Sequence, residues 1–335
     1  MRILITGGAG FIGTALCQYI LDQTDHDVIN IDNISYVSND AEVRKLDKIE
    51  RYTHYKQDIC DYHAIQRTFY QEQPDIIVHL AAETHTDKSL EEPQNFIQTN
   101  LIGTFNMLDI SRNYYENSDK DNFRFLNVST NEVYGTLGEK GTFTEEDNYD
   151  PRSPYSASKA GADHLVRAWL HSYKLPILIT NCANNYGPFQ FPDRIIPLII
   201  KNAHQQKPIP IYRKSQNIRD WIYVEDQVEA LMSVIDKGTV GDSYNIGGGE
   251  ECTNIDLAHM VCDIVDDILD KRPQSSRDLI TYVDDSPGHA LRNVMDISKI
   301  EADTGWKPKT KLKDGLRKTV EWYLKDTKYL LQKAS

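Results

Sequence analysis

Arg2-Ile3-Leu4-Ile5-Thr6-Gly7-Gly8-Ala9-Gly10-Phe11-Ile12-Gly13 opens the chain with a short apolar run, a glycine turn and a helix-like segment that continues to about Leu21. Val28 to Ile31 reads as a second short strand and ends in Asp32. Strand, glycine turn, helix, strand and acid make a dinucleotide-binding unit. Its glycines let the backbone approach a pyrophosphate, and the helix N-terminus faces the phosphate charge. Asp32 lies 19 residues after Gly13, where a carboxylate accepts hydrogen bonds from ribose hydroxyls and disfavours a 2′-phosphate. The expected cofactor is NAD before NADP.

Outward from this unit the pattern repeats. Residues 35–50 are polar, a loop or short helix over the cofactor. Tyr62 to Tyr70 is helix-like, and Asp75 to Ala82 is a buried strand ending in small residues. Within it His79 reads as a core histidine. Pro93 to Tyr115 predicts a long helix interrupted by Asn100, Gly103 and Asn106, and Phe123 to Ser129 the next strand. Strands alternating with helices predict an α/β fold, a Rossmann doubly wound parallel sheet whose ligands lie at the carboxyl ends of the strands, as Ser129-Thr130 does. Beyond the strand at 176–182 the texture changes to loop-like, donor-rich sequence such as Asn184-Asn185-Tyr186-Gly187-Pro188. The expected division is an NAD-binding Rossmann domain at 1–180 and a smaller substrate-binding lobe at 181–335, with segments near 218–246 returning to the first.

Pro154-Tyr155-Ser156-Ala157-Ser158-Lys159 places a phenol and an ammonium four residues apart on one helical face, with proline at the first helical position. A cation beside a tyrosine favours the phenolate, so Lys159 would turn Tyr155 into a usable base. The same spacing at Tyr52/Lys56 and Tyr329/Lys333 carries no chemistry. Tyr155 and Lys159 gain meaning from the cofactor unit upstream.

With 335 residues the chain is long for one domain, and its 40% hydrophobic and 26% charged content is that of a globular protein. No apolar run reaches the roughly 18 residues of a membrane span, and the start at Met1 leads directly into a strand-like run instead of a leader. Cys17, Cys60, Cys182, Cys252 and Cys262 are scattered and form no Cys-x-x-Cys, which predicts reduced thiols in a cytoplasm and no metal site. A formal net charge of −13 disfavours nucleic acid and anionic membranes as partners. An anionic small substrate would then need local arginines, of which Arg219 and Arg292 stand in polar, loop-flanked segments.

Taken together, Gly7-x-x-Gly10-x-x-Gly13, Ser129-Thr130-x-Glu132-Val133-Tyr134-Gly135 and Tyr155-x-x-x-Lys159 resemble the extended short-chain dehydrogenases/reductases that act on nucleotide sugars. Ala81 to Ser89, Asn184 to Pro188, Ile218-Arg219-Asp220-Trp221 and Pro287-Gly288-His289 resemble the 4,6-dehydratase branch that acts on dTDP-glucose, and the likeness runs past Gly305-Trp306-Lys307-Pro308. The resemblance implies NAD contacts at Gly7, Gly10, Phe11, Ile12, Gly13, Asp32, Asp58, Ile59, Ala81, Thr99, Tyr155 and Lys159. It implies a nucleoside-diphosphate sugar held by Glu83, Thr130, Asn184, Arg219, Asn254 and Arg292, and a homodimer through helices near 95–115 and 155–173. The implied chemistry has Tyr155 and Thr130 on the sugar 4-hydroxyl, Glu132 removing the C5 proton, water lost from C6, and hydride returned there.

Asn131 departs from the family pattern, which carries an aspartate between the threonine and the glutamate to protonate the departing hydroxyl. An amide donates a hydrogen bond but no proton, and a general acid is worth about 10²- to 10⁴-fold. Four readings stay open. The residue stalls the reaction; Glu132 or a water does both jobs; the reaction is a relative's, a 4-epimerisation or decarboxylation; or the chain binds NAD and a nucleotide sugar without catalysis. Ser286, Ala290, Leu291 and Asn293 also depart from the pattern around Arg292, leaving thymidine or uridine open.

Overall fold

A computed structural model describes residues 1–118, 120, 122–212, 217–284 and 290–330. The Pro287-Gly288-His289 motif and Ser286 lie outside the described residues. β1 (Arg2–Thr6), β2 (Asp27–Asp32), β3 (Tyr52–Lys56), β4 (Ile76–His79), β5 (Arg124–Thr130) and β6 (Ile177–Cys182) follow one another with intervening helices. Ile3, Leu4 and Ile5 of β1 and Ile177, Leu178 and Ile179 of β6 are 0% exposed. Such unbroken apolar runs suit strands covered on both faces.

These strands join one seven-stranded parallel sheet, ordered β10-β6-β5-β4-β1-β2-β3, in which β10 is Ser243–Ile246. The chain reverses direction of travel between β1 and β4, and there the carboxyl ends open a crevice. The helices Phe11–Gln23 and Val224–Lys237 cover one face, burying Leu16, Ile20, Leu231 and Val234. Tyr62–Glu72, Thr104–Glu116 and Pro154–Tyr173 cover the other through Phe69, Met107, Leu108 and Val166.

A second core gathers where the helices Ile195–Gln205, Asn254–Ile268 and Leu312–Lys325 meet, around Ile196, Ile200, Leu257, Val261, Leu316 and Val320. It carries a small sheet of β11 (Glu251–Thr253), β9 (Ile218–Tyr223) and β13 (Arg292–Asn293), with β7 (Asn184–Tyr186) also on β9. β12 (Ile280–Val283) pairs with β8 (Ile209–Tyr212). The residue 180 boundary therefore falls inside β6. Of the segment 218–246, β9 stays with the small sheet, while Val224–Lys237 and β10 complete the large one.

The long helix expected over 93–115 is three pieces: Pro93–Phe96, a π-helical stretch Ile97–Gly103, and Thr104–Glu116. The wider π turn lets Asn100 face inward instead of following an α path. Its side chain accepts from Glu83 N at 2.8 Å and donates to Glu83 O at 2.9 Å and to Ser158 Oγ at 2.9 Å. Asn106 Nδ2 donates to Ile59 O at 3.1 Å. The polar interruptions in the sequence are thus the pegs that fix the loops after β3 and β4. His79 is buried between Thr6 Oγ1 at 2.7 Å and Thr104 Oγ1 at 3.0 Å, and burial lowers its pKa to about 3.

Candidate active site

A cavity of about 650 Å³ opens at the carboxyl ends of β1, β2, β4, β5 and β6 and continues under the second core. At its first end lie Gly7, Gly10, Phe11, Ile12 and Gly13. Gly7 takes φ +76°, and a Cβ there would stand 2.8 Å from the Ala81 backbone. The helix Phe11–Gln23 begins at Gly10 with no side-chain cap, so its first N–H groups have no partner from a capping residue. Asp32, Asp58 and Ile59 line the next stretch, and Ala81, Glu83 and Thr99 the far wall.

A dinucleotide fits this end of the cavity. A Cβ at Gly10 would meet only Gly7 O, at 3.2 Å, leaving the surface above the helix start open. An uncapped helix N-terminus behind that surface favours an anion. Asp32 accepts from Ala9 N at 3.0 Å through Oδ2, and from Ile34 N at 2.8 Å and Ser38 Oγ at 3.3 Å through Oδ1. A carboxylate offers about four acceptor sites, so these bonds orient it and leave capacity for a hydroxyl.

Thr130, Asn131, Glu132 and Tyr155 form the middle of the cavity. β5 delivers Thr130, whose hydroxyl accepts from Glu132 N at 3.2 Å and caps the short 3₁₀ turn Asn131–Tyr134. Tyr155 starts the helix Pro154–Tyr173, where Ser153 and Ser156 cap each other reciprocally and Pro154 sits in the first turn. Glu132 is held by Thr86, whose Oγ1 lies 3.3 and 3.4 Å from the two carboxylate oxygens. Asn131 is 3% exposed; its Oδ1 lies 3.5 Å from Thr130 Oγ1, and its buried Nδ2 has no hydrogen-bond partner among the described residues.

Two expectations change in the folded chain. Lys159 lies behind the wall, with Nζ donating to Val128 O at 2.9 Å. The phenol of Tyr155 is pushed up, first by burial and then by the Glu132 charge, while a Thr130 hydrogen bond and the Arg194 charge oppose the rise. The lowering expected from Lys159 alone is therefore not what the protein's own groups produce, because the ammonium is turned to the β5 carbonyl. Arg292 is the other correction: its guanidinium grips Glu251 through Nε at 2.9 Å and Nη2 at 2.6 Å and donates to Gly141 O at 2.6 Å. It is buried in that bidentate pair and is absent from the cavity wall.

Asn184, Arg219 and Asn254 do line the second end of the cavity. Arg219 donates through Nη1 to Ile218 O at 2.9 Å and through Nη2 to Ala290 O at 2.8 Å, which aims the fork and leaves further N–H groups. Arg194, which the sequence reading passed over, lines the wall as well and donates to Thr84 Oγ1 at 2.9 Å. Its signal was a cation directly before the apolar run Ile195-Ile196, the position of a helix start. Thr86 stands inside the Ala81 to Ser89 motif, but its bond to Glu132 joins residues 46 apart and shows only in the folded chain.

Residues 4–319 match the family described as GDP-mannose 4,6 dehydratase, and the chain belongs to that family. A dTDP-glucose 4,6-dehydratase of Escherichia coli K12 is 49% identical over 98% of this chain and 94% of its own length. The solved dTDP-glucose 4,6-dehydratase of Streptomyces venezuelae, with NAD and dTDP bound, superposes with a TM-score of 0.89 at 36% identity, covering 98% of both chains. The UDP-glucuronic acid 4-epimerase of Bacillus cereus, in complex with UDP-glucuronic acid and NAD, gives 0.87 at 26% identity over 97% of this chain and 99% of its own.

Proposed function

We propose that the chain is an NAD-dependent 4,6-dehydratase that converts dTDP-glucose to dTDP-4-keto-6-deoxyglucose and water. The observation that carries this reading is the convergence of Thr130, Glu132 and Tyr155 on one wall of a cavity that begins at the glycine turn and ends at Arg219. NAD held along Gly7 to Gly13 and Asp32, with Asp58, Ile59, Ala81 and Thr99 beside it, supplies a hydride store that is filled and emptied within one turnover. Lys159, whose ammonium rests on Val128 O, adds positive charge on the cofactor side of the site. Arg219, Asn184 and Asn254 hold the nucleoside diphosphate, and Glu83 the sugar.

Tyr155 takes the proton of the 4-hydroxyl as C4 is oxidised, while Thr130 holds the same oxygen. The resulting 4-ketone acidifies C5, and Glu132 removes that proton. The 6-hydroxyl leaves C6 as water, assisted by a hydrogen bond from the unpartnered Asn131 Nδ2. The leaving proton comes from Glu132, now a carboxylic acid, or from water, since the amide has none to give. Hydride then returns to C6, and C5 is reprotonated by Glu132 after the proton that Tyr155 took from the 4-hydroxyl is passed on through solvent, which restores both groups. Epimerisation at C4 has no use for a base at C5, so the Thr86-supported Glu132 favours dehydration.

A single turnover of NAD-loaded protein with dTDP-glucose tests the proposal. Reduced cofactor that rises and falls while the sugar nucleotide loses one water supports it; unchanged mass with C4 inverted replaces it with epimerisation. Neither change would leave a binding role.

For the assembly, we infer a homodimer through the helices near 95–115 and 155–173. Ile97, Ile102, Phe105 and Tyr173 there are each about two-fifths exposed, and light scattering of the purified protein at twice the chain mass is the expected result. Gly161 is turned inward to Leu101, where a Cβ would come to 3.1 Å, so the small-residue face serves helix packing within the chain. Function in the cytoplasm, with an NAD-binding lobe and a nucleotide-sugar lobe, completes the proposal.

A further inference from the structure

We propose that Asp163 is a positioning residue of the oxidation step: its buried carboxylate is the counter-charge of the Lys159 ammonium and the clamp on the end of β5 that carries Thr130. The inference rests on the roles given above to Tyr155 and Lys159. Asp163 follows Lys159 by four residues on the helix Pro154–Tyr173, so both side chains leave one face.

Asp163 is 0% exposed. Oδ1 accepts from Asn127 Nδ2 at 2.8 Å, and Oδ2 accepts from Ser129 Oγ at 2.7 Å and from Tyr149 OH at 3.0 Å. The direction of the last bond follows from its neighbours. Tyr149 oxygen already takes N–H donors from Arg167 Nη2 at 3.0 Å and Asn181 Nδ2 at 3.2 Å, so its own proton goes to Asp163. Burial pushes this carboxyl up, and the Lys159 charge, the Ser129 hydrogen bond, the Arg167 charge and the Tyr149 hydrogen bond oppose the rise and favour its ionised form. Asn127 and Ser129 are alternate residues of β5, and Thr130 follows directly; Asn181 Nδ2 also reaches Thr130 O at 3.5 Å.

An acid with no access to water is costly unless donors and cations replace its hydration. A helix packing on a sheet needs no such group; an apolar residue would fill the space. The charge must therefore act on something. Lys159 faces Asp163 from its own helix, Cys182 from β6 and His79 from β4. Burial raises the Cys182 thiol to about 11 and lowers His79 to about 3, so both are neutral near pH 7. Asp163 in turn faces Lys159, Arg167, Tyr149, Tyr134 and Cys182. Glu132 and Arg194 act on Tyr155 instead. Asp163 thus acts on Lys159 through its charge, without an ion pair within 4 Å, and the same atoms hold the strand end that presents Thr130 to the substrate.

The test is Asp163→Asn, which keeps the shape and removes the charge. Oxidation of dTDP-glucose in a single turnover should lose rate on the alkaline side where Lys159 gives up its proton, and in Asp163→Asn this limb should move to lower pH by about one unit or more. NAD affinity measured by tryptophan fluorescence without sugar should show the same displacement. A uniform loss of rate with both pH curves in place would overturn the proposal and leave Asp163 a packing residue. Stability supplies a readout without turnover. Removing Lys159 alone, as Lys159→Met, leaves the buried anion with Arg167 as its remaining facing cation, so Lys159→Met/Asp163→Asn should be more stable to urea than Lys159→Met. A double variant no more stable than that single one would also overturn it. Wild-type protein that never reduces NAD with dTDP-glucose defeats the functional reading instead, while the NAD-binding curves and the stability comparison still judge Asp163.

Discussion

Replacing Gly13 by alanine puts the glycine-turn reading at risk. The added methyl would lie 2.1 Å from Gly7 O and 2.6 Å from Gly8 Cα. Ordinary contact is about 3.5 Å, so the turn must retreat by roughly 1 Å. Both obstacles are backbone, and neither is free to swing away: Gly7 N donates to Ile31 O at 2.8 Å and Gly8 N to Asn30 Oδ1 at 3.0 Å. Overpacking of this kind costs about 1–3 kcal/mol, and alanine returns at most about 1 kcal/mol through its helix propensity. The atoms that move are those facing the pyrophosphate, so NAD should suffer more than the fold. The expected result is a Kd for NAD raised about 10- to 100-fold by calorimetric titration, with urea stability lowered by about 1–2 kcal/mol. A folded variant that binds NAD within twofold of the parent would refute the assignment of this turn to the cofactor.

Arg292→Ala should lower stability by about 1.5–3 kcal/mol through loss of the Glu251 pair, with KM for the nucleotide sugar within about twofold, whereas Arg219→Ala should raise KM at least about tenfold; steady-state kinetics beside urea melts separates the two. Asn131→Asp supplies a proton donor at the carbonyl end of β5 and should shorten the lifetime of reduced cofactor in stopped flow by about tenfold or more, provided elimination limits its decay. His79 has a pKa of about 3 in the fold against 6.5 when unfolded. Its stabilising contribution is complete above pH 6.5 and drains away as pH falls towards 3. From pH 7 to 5 this amounts to about 2 kcal/mol, and His79→Gln should flatten the urea-stability curve by that much.

The sequence alone was enough for the Rossmann fold and for NAD as the cofactor. Gly7 to Gly13 and Asp32 act within one local unit, strand to turn to helix to strand, whose geometry follows from residues close in the chain. Thr130, Glu132 and Tyr155 were legible because each sits at the end of a strand or the start of a helix, where a parallel sheet gathers its ligands. Arg292 was misread because its partner Glu251 lies 41 residues away, and a guanidinium's choice between carboxylate and phosphate depends on what folds beside it. The same reason hid Asn100 in its π turn, Thr86 beside Glu132, and Asp163 beneath Ser129. Spacing along the chain sets which face of an element a side chain leaves, but only packing between elements decides what it meets there. The tertiary structure thus decided the state of the phenol: burial and Glu132 act on Tyr155 across the cavity, while Lys159, its neighbour by one helical turn, is spent on the carbonyl of Val128.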